Sequence, residues 1–309
     1  MKAGIIVPQG WTGEYRGWEP QRAWERSLEL AREAERLGFE SLWAFDHFHT
    51  TPDPTDELTF ESFTLLTALS QHTRRVRLGH IVMCAGFRNP ALVAKMLSTL
   101  DVLSAGRAEL GIGAGWKQEE WEAYGYGFPE RRERLDALQD SLEVIRAMFA
   151  PGRATYEGKH AAVLGAINEP TGLQSPRLPI MVGGNGPERT WRIAARYADE
   201  LNIDAMFPED LAKAMPTIRQ RCEEIGRDPD SLRVSVHVWW EHATEPGAAR
   251  AERFAAYRDL GVSRIQCLVR NAVEDDEALE RFAEDCLAAG IDLDAEYATP
   301  SRPDPVAVG

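Results

Sequence analysis

Short runs of β-branched and aromatic residues recur along the whole chain, each followed by a longer segment with the spacing of an amphipathic helix. Eight such pairs are present, with strands expected at Ala3 to Val7, Ser41 to Phe45, Val76 to Met83, Ala108 to Ile112, Ile180 to Val182, Glu200 to Ile203, Arg233 to Trp239 and Arg264 to Val269. Most are nearly continuous apolar runs, such as Gly4-Ile5-Ile6-Val7 and Ile180-Met181-Val182. That composition suits strands covered on both faces, the condition of a parallel sheet flanked by helices. Eight alternating units joined by right-handed crossovers close into a (β/α)8 TIM barrel of about 250 residues. The chain has 309 residues, which leaves roughly 60 for insertions and a tail.

The helices carry legible ends. Pro20 opens the first, Leu28, Ala31, Ala34 and Leu37 lie on one face, and Gly38 stands where a left-handed cap would stop it. Leu260-Gly261-Val262 echoes Leu37-Gly38-Phe39. Another helix is expected from Asn89-Pro90 to Leu103, ended by Gly106. The largest surplus lies at about 150–179, where Pro151-Gly152 breaks a helix and Tyr156-Glu157-Gly158-Lys159-His160 has the look of a small hairpin outside the barrel. A doubly wound two-domain chain is the rival architecture, but no Pro/Gly/Ser linker divides the sequence into two cores. The expected organisation is one barrel domain over 1–293 with that insertion. An extended tail is expected over 294–309, where Thr299-Pro300-Ser301-Arg302-Pro303 cannot continue a helix.

Composition narrows the function classes. Asp plus Glu number 49 against 35 for Lys plus Arg, a net charge of −14, which argues against nucleic acid or an anionic membrane as partner. No apolar run approaches the roughly 18 residues a membrane span needs. Cys84, Cys222, Cys267 and Cys286 are scattered and form no C-x-x-C pair, so neither a disulfide framework nor a zinc knuckle is expected. Met1 to Val7 runs straight into a strand pattern without an export-type apolar region, and a cytoplasmic location is expected.

In barrels of this kind chemistry is built from the loops at the carboxyl ends of the strands. Asp46-His47-Phe48-His49 follows the second strand, Cys84 to Pro90 the third, Gly113-Ala114-Gly115-Trp116-Lys117-Gln118-Glu119-Glu120 the fourth, and Gly183-Gly184-Asn185-Gly186-Pro187 the fifth. Glycines allow a sharp turn at 183–186, and Pro187 as first helical residue would leave free amides pointing outward, an anion socket. The plainer reading is a tight turn that binds nothing. Gly111-x-Gly113-x-Gly115-Trp116 is not a dinucleotide fingerprint, because Trp116 stands where a small residue is needed. Two glycine-rich turns on one rim fit a single phosphate-bearing cofactor better than either does alone.

Asp46 and His47 suit hydrogen bonding to a polarised ring or proton transfer, or else a loop-capping Asp beside a partly buried His. His47-x-His49 also resembles a metal pair, so a metal-dependent hydrolase on the same barrel is a rival; it needs a third ligand, and His80, His237 and His242, near other strands, lie in local patterns that supply no obvious ligand set. Trp43, Trp116, Trp239 and Trp240 fall near the expected rim and would wall a flat heterocycle. No Gly-x-Ser-x-Gly elbow is present.

Taken together these strand ends resemble the luciferase-like monooxygenase family, in particular its members that use the deazaflavin coenzyme F-420. The resemblance runs from Gly4-Ile5-Ile6-Val7-Pro8 to about Gly226-Arg227-Asp228-Pro229. It is carried by Leu42-Trp43-Ala44-Phe45-Asp46-His47, Arg77-Leu78-Gly79, Arg88-Asn89-Pro90-Ala91-Leu92-Val93-Ala94-Lys95, Thr99 to Arg107, Leu110 to Trp116, Tyr156 to His160 and Ile180 to Gly186. It implies a ring at the carboxyl rim contacted by Asp46 and His47, and a phosphate held near Gly183, Gly184, Asn185 and Gly186 and beside Gly113, Ala114 and Gly115. It also implies a non-prolyl cis peptide at Ile81-Val82 pressing on the ring. The implied chemistry is hydride transfer between F-420 and a small organic substrate, a carbonyl, alcohol or activated double bond, with His47 polarising or protonating. F-420-dependent sugar-phosphate dehydrogenases carry a glutamate proton donor where this chain has Trp116, so that activity is not implied, and the acid is Glu119, Glu120 or neither. The anionic tail of F-420 would call for a local basic patch such as Lys117 or Arg88. The nearest competitor is a reduced-FMN monooxygenase, which needs oxygen and a separate flavin reductase; a non-catalytic flavin-binding protein is a third class. A homodimer is expected by resemblance.

Overall fold

The computed structural model describes residues 1–243 and 245–293, so the expected tail at 294–309 lies outside the described residues. The strands are β1 (Lys2–Ile6), β2 (Ser41–Ala44), β3 (Arg77–His80), β4 (Met83–Cys84), β5 (Ala108–Gly113), β6 (Arg153–Glu157), β7 (Ala162–Ile167), β8 (Ile180–Gly183), β9 (Glu200–Asp204), β10 (Arg233–Val238) and β11 (Arg264–Cys267). The helices are α1 (Pro20–Arg36), α2 (Ser62–His72), α3 (Pro90–Leu103), α4 (Gln118–Ala123), α5 (Arg131–Phe149), α6 (Thr190–Tyr197), α7 (Pro208–Glu223), α8 (Trp240–Ala243), α9 (Ala248–Asp259) and α10 (Ala278–Ala288). Parallel pairings run β3-β2-β1-β11-β10-β9-β8-β5, and β5 pairs with β3 to close the ring. The fold is a (β/α)8 barrel.

The third expected strand, Val76 to Met83, is found in two pieces. β3 pairs with β2 and β5, the chain departs from the ladder at a cis peptide between Ile81 and Val82, and β4 rejoins β5 through Met83 and Cys84. Such a departure re-aims side chains at a barrel rim. The helix ends follow their sequence signals. Pro20 opens α1, and Gly38 (φ +88°) turns the chain into β2. Gly261 (φ +80°) does the same after α9. Asn89 caps α3 by accepting from the amides of Ala91 and Leu92.

The surplus between α5 and β8 contains the antiparallel pair β6 and β7. Asp140 on α5 fastens it, accepting from Tyr156 Oη and from the His160 amide, both at 2.7 Å.

The barrel interior is layered. Trp43 is fully buried in the middle, its Nε1 donating to Ser41 Oγ at 2.8 Å. It fits because the flanking strands present glycine. A Cβ at Gly4 would lie 2.7 Å from Trp43 Nε1, and one at Gly79 would lie 2.4 Å from its Cζ3. Below it, Arg264 is buried among three carboxylates, at 3.0 Å from Glu40, 3.1 Å from Glu109 and 2.7 Å from Glu200. The packing around Trp43 and this charged cluster separate the carboxyl mouth from a cavity of about 360 Å³ at the amino end, lined by Glu40, Arg77, Glu109, Glu200, Arg233 and Arg264. No described helix is long and apolar enough to cross a membrane.

Candidate active site

A cavity of about 430 Å³ opens at the carboxyl mouth. Its floor is the cis Ile81-Val82 segment, and Val82 projects between two glycines. A Cβ at Gly113 would lie 2.9 Å from Val82 Cγ2, and one at Gly183 would lie 2.8 Å from Val82 Cγ1. The ends of β5 and β8 therefore approach the bulge closely because they lack side chains there.

Asp46 follows β2 and is buried. Both its oxygens are engaged: Arg88 makes a two-pronged contact at 2.7 and 2.9 Å, Ser62 Oγ donates at 3.0 Å and the Cys84 amide at 2.9 Å. Burial alone would raise the Asp46 carboxyl, but Arg88 outweighs it and holds the group below the usual carboxylate value. Asp46 is thus a fixed brace between the loop after β2 and the bulge, and the adjacent His47 faces the cavity.

The His47 ring is held on two sides. Its Nδ1 lies 2.6 Å from Glu120 Oε2, and the Trp11 ring stacks on it at 4.2 Å with planes 2° apart. Glu120 Oε1 accepts from the Phe48 amide at 2.9 Å. Burial pushes the Glu120 carboxyl up, yet the bond and charge of His47 and the Phe48 amide prevail and hold it below its ordinary value.

Several expectations are corrected in detail. Glu119 is exposed on the outer side of α4 and does not line the cavity; its neighbour Glu120 is buried and does. Consecutive helical residues point about 100° apart, so only one of two adjacent glutamates can face inward. The turn after β8 does not open a helix at Pro187, because α6 begins at Thr190. The Gly184 amide donates to Asn202 O at 3.0 Å and belongs to the sheet. Asn185 is exposed and bonds the backbone of Asp204, at 2.7 Å through Nδ2 and 2.9 Å through Oδ1. Gly183 and Gly184 line the cavity with Gly113, Ala114 and Gly115, whereas Asn185 and Gly186 stand behind it. Trp116 and Trp239 line the cavity, but Trp43 lies deeper in the barrel and is not part of the rim. Arg88 is bound by Asp46 and by Glu61 at 2.8 Å, so it offers no open basic patch, whereas Lys117 is largely buried beside Thr50 and lines the cavity.

Besides Lys117, the cations lining the cavity are Arg131 and Arg134 at the start of α5; Arg131 stands beside the Thr190 hydroxyl and Gly186, and Arg134 Nε donates to Gly115 O at 3.2 Å. Sequence reading passed over them, although Arg131-Arg132-x-Arg134 after Pro129 is a basic cluster at a helix start. It also passed over Trp11, in the long loop after β1, and over the pairing of Asp204 with His237 near the ends of β9 and β10, having weighed His237 only as a metal ligand. A signal existed for the last two, since both lie at or beside the carboxyl end of an expected strand.

The residues present suit a flat, anionic cofactor. The floor is apolar and glycine-lined, the walls are aromatic, and one end carries guanidinium and hydroxyl groups. Buried ring nitrogens of the lining residues Trp11 and Trp121, both Nε1, have no hydrogen-bond partner among the described residues. Buried polar atoms are rarely left so unless a ligand or water completes them. Among the described residues no three His, Cys, Asp or Glu side chains converge as a metal ligand set.

The chain is 28% identical over 278 residues to an F-420-dependent glucose-6-phosphate dehydrogenase from Mycolicibacterium gilvum (strain PYR-GCK), covering 88% of this chain and 80% of that one. It is also 28% identical over 225 residues to a 5,10-methylenetetrahydromethanopterin reductase from Methanolobus tindarius, covering 73% and 63%. Among solved structures, an F-420-dependent secondary alcohol dehydrogenase in complex with an F-420-acetone adduct superposes with a TM-score of 0.79 at 20% identity, over 93% of this chain and 98% of that one. Monooxygenase RslO1 from Streptomyces bottropensis superposes with a TM-score of 0.74 at 21% identity, over 93% and 99%. The sequence profile of the family described as luciferase-like monooxygenase matches residues 1–304, and the chain belongs to that family.

Proposed function

We propose that this protein is an oxidoreductase that transfers a hydride between coenzyme F-420 and a small organic substrate bearing a carbonyl, alcohol or activated double bond. The observation that carries the reading is the His47–Glu120 pair beside a glycine-lined floor in a single aromatic-walled cavity. The names of the relatives at 28% identity support it. When bound, F-420 supplies a carbon that gives or takes a hydride.

The chain's own residues account for the remaining tasks. Val82, between Gly113 and Gly183, forms the surface against which a planar ring would lie, and Arg131, Arg134 and Thr190 would hold its anionic end. Trp11, Trp116 and Trp239 exclude water from the mouth. Glu120 fixes His47 through Nδ1, so Nε2 is the atom that holds or releases a proton at the substrate oxygen or carbon. A compartment that keeps thiols reduced suits the four cysteines, which are free and buried.

The similarity to a monooxygenase fold supports a second reading, reduced FMN as the ring, with oxygen and a separate reductase as co-requirements. Titration of the apoprotein with each cofactor separates the two. The first reading expects micromolar or tighter binding of F-420, and turnover of reduced F-420 under anaerobic conditions with a carbonyl or alkene panel. Micromolar FMN binding with F-420 no better than millimolar would reverse the assignment.

A further inference from the structure

The cavity contains a second imidazole–carboxylate pair. His237 Nδ1 lies 3.0 Å from Asp204 Oδ1, and the same oxygen accepts from Trp239 Nε1 at 2.6 Å. Asn185 fixes the Asp204 backbone. In the ring order β2-β1-β11-β10-β9, Asp204 stands on the strand four places from β2, across an eight-stranded barrel from the loop that carries His47, and His237 is on the strand beside it. A ligand filling the mouth therefore meets one pair on each side. The rings of Trp11, Phe45 and His237 form a continuous wall between them, with centroids 4.4 Å and 5.5 Å apart in succession.

Burial raises the Asp204 carboxyl, but His237 and Trp239 outweigh it and keep it below its usual value, so Asp204 is the acceptor and Nδ1 carries the proton. The other nitrogen, Nε2, is the ring's open polar atom and presents a lone pair in the tautomer that the Asp204 contact selects. The His237 side chain is 7% exposed, it lines the cavity, and its Nε2 has no partner among the described residues. The carboxylate oxygens of Asp46 and Glu120 are already engaged by protein donors. A hydrogen-bond donor on a ligand is thus matched by His237 Nε2.

We propose that His237 is a substrate-recognition residue, positioned by Asp204, and that it selects substrates carrying a hydroxyl or amide N–H donor besides the carbon that exchanges hydride. This rests on the oxidoreductase reading above. The pair across the mouth from His47 divides the labour: one imidazole serves the reacting atom and the other reads a distal donor.

The test uses the full chain labelled with ¹⁵N-histidine, with and without F-420 or FMN, titrated with phenol (a donor) and with anisole (the same ring without the O–H). The His237 Nε2 resonance, assigned with His237→Phe, is expected to move with phenol and not with anisole, and phenol is expected to bind at least tenfold more tightly. In H237F that preference is expected to vanish while the F-420 dissociation constant stays within twofold. A resonance unmoved by phenol, or a preference that survives in H237F, overturns the assignment. So does a tenfold loss of F-420 affinity in H237F with phenol binding intact, since the imidazole would then serve the cofactor. If H237F does not fold, Asp204→Asn keeps the ring and is expected to show mixed tautomers and a lost phenol preference; an unchanged preference in D204N overturns the positioning role. A phenol response in a protein that binds neither F-420 nor FMN supports the recognition site and overturns the oxidoreductase reading.

Discussion

His47 has one nitrogen left for chemistry. Glu120 holds Nδ1 at 2.6 Å and the Trp11 face covers the ring, so rotation that would present the other edge is blocked. A proton-transfer group placed this way contributes roughly 10²- to 10⁴-fold to a rate. His47→Asn should therefore lower single-turnover hydride transfer by about 10²-fold or more, while F-420 affinity, followed by fluorescence, changes little. Glu120→Gln keeps the shape and removes the charge, and its turnover should fall between wild type and H47N. An E120Q enzyme with wild-type rates would remove Glu120 from the proton path. The floor yields a separate expectation. In Gly183→Ala the new methyl would lie 2.8 Å from Val82 Cγ1 and 3.0 Å from its Cγ2, so Val82 must move into the space a ring would occupy. F-420 binding should weaken by an order of magnitude or more, with overpacking costing about 1–3 kcal/mol of stability; retained affinity in G183A would place the ring elsewhere.

Elements, more than single residues, decided what the sequence could reveal. The alternation of apolar runs with 3.6-residue periodicity made all eight barrel strands legible, and Pro20, Gly38 and Asn89-Pro90 marked helix ends that the structure reproduces. Periodicity alone could not reveal that the run from Val76 to Met83 breaks in two, because Ile81-Val82-Met83 continues it with apolar residues and no turn signal marks the break; the family resemblance pointed to that place. It could not orient α4 either: Glu119 and Glu120 are chemically alike, and only the packing of Trp121 against Cys84 and Phe87 turns Glu120 inward. Asp204 and His237 were missed because they lie 33 residues apart and meet only when β9 and β10 pair. At this scale the test is β3. Gly79→Ala would place a methyl 2.4 Å from Trp43 Cζ3, so the strand or the indole must shift, at about 1–3 kcal/mol. The urea midpoint should fall accordingly, and Trp43→Phe in the same chain should recover part of the loss. Additive losses in the double variant would refute the collision.

Across the whole molecule, charge is arranged along the barrel axis. The mouth offers Arg131 and Arg134 to an anion, while the opposite end holds Arg264 among Glu40, Glu109 and Glu200 in a chain whose net charge is −14. A buried cluster of this kind owes its stability to completeness, because removal of one member leaves uncompensated charge, at roughly 3–5 kcal/mol. Arg264→Met should destabilise by about that amount at pH 7, read from urea midpoints. The pH dependence distinguishes this cause from lost packing. Burial would raise the Glu109 carboxyl, but Arg264 and Arg77 bring it down to about 2. Its folded value lies below its unfolded value of about 4.3, so its ionisation stabilises the wild type fully above that pH and ceases to do so as pH falls toward 2. In R264M the same carboxylates are buried beside fewer cations and are relieved by protonation, so acid favours the variant's fold at pH values above the unfolded carboxyl value, where the unfolded chain is still ionised. The stability gap between the two proteins should be largest near neutrality, begin to narrow above about pH 4.3 as the variant gains, and go on narrowing below it as the wild type loses. A gap that stays constant between pH 7 and pH 3.5 would mean that Arg264 contributes through its packing against Trp43, whose ring lies 5.0 Å from the guanidinium, and that the cluster is held by shape instead of charge.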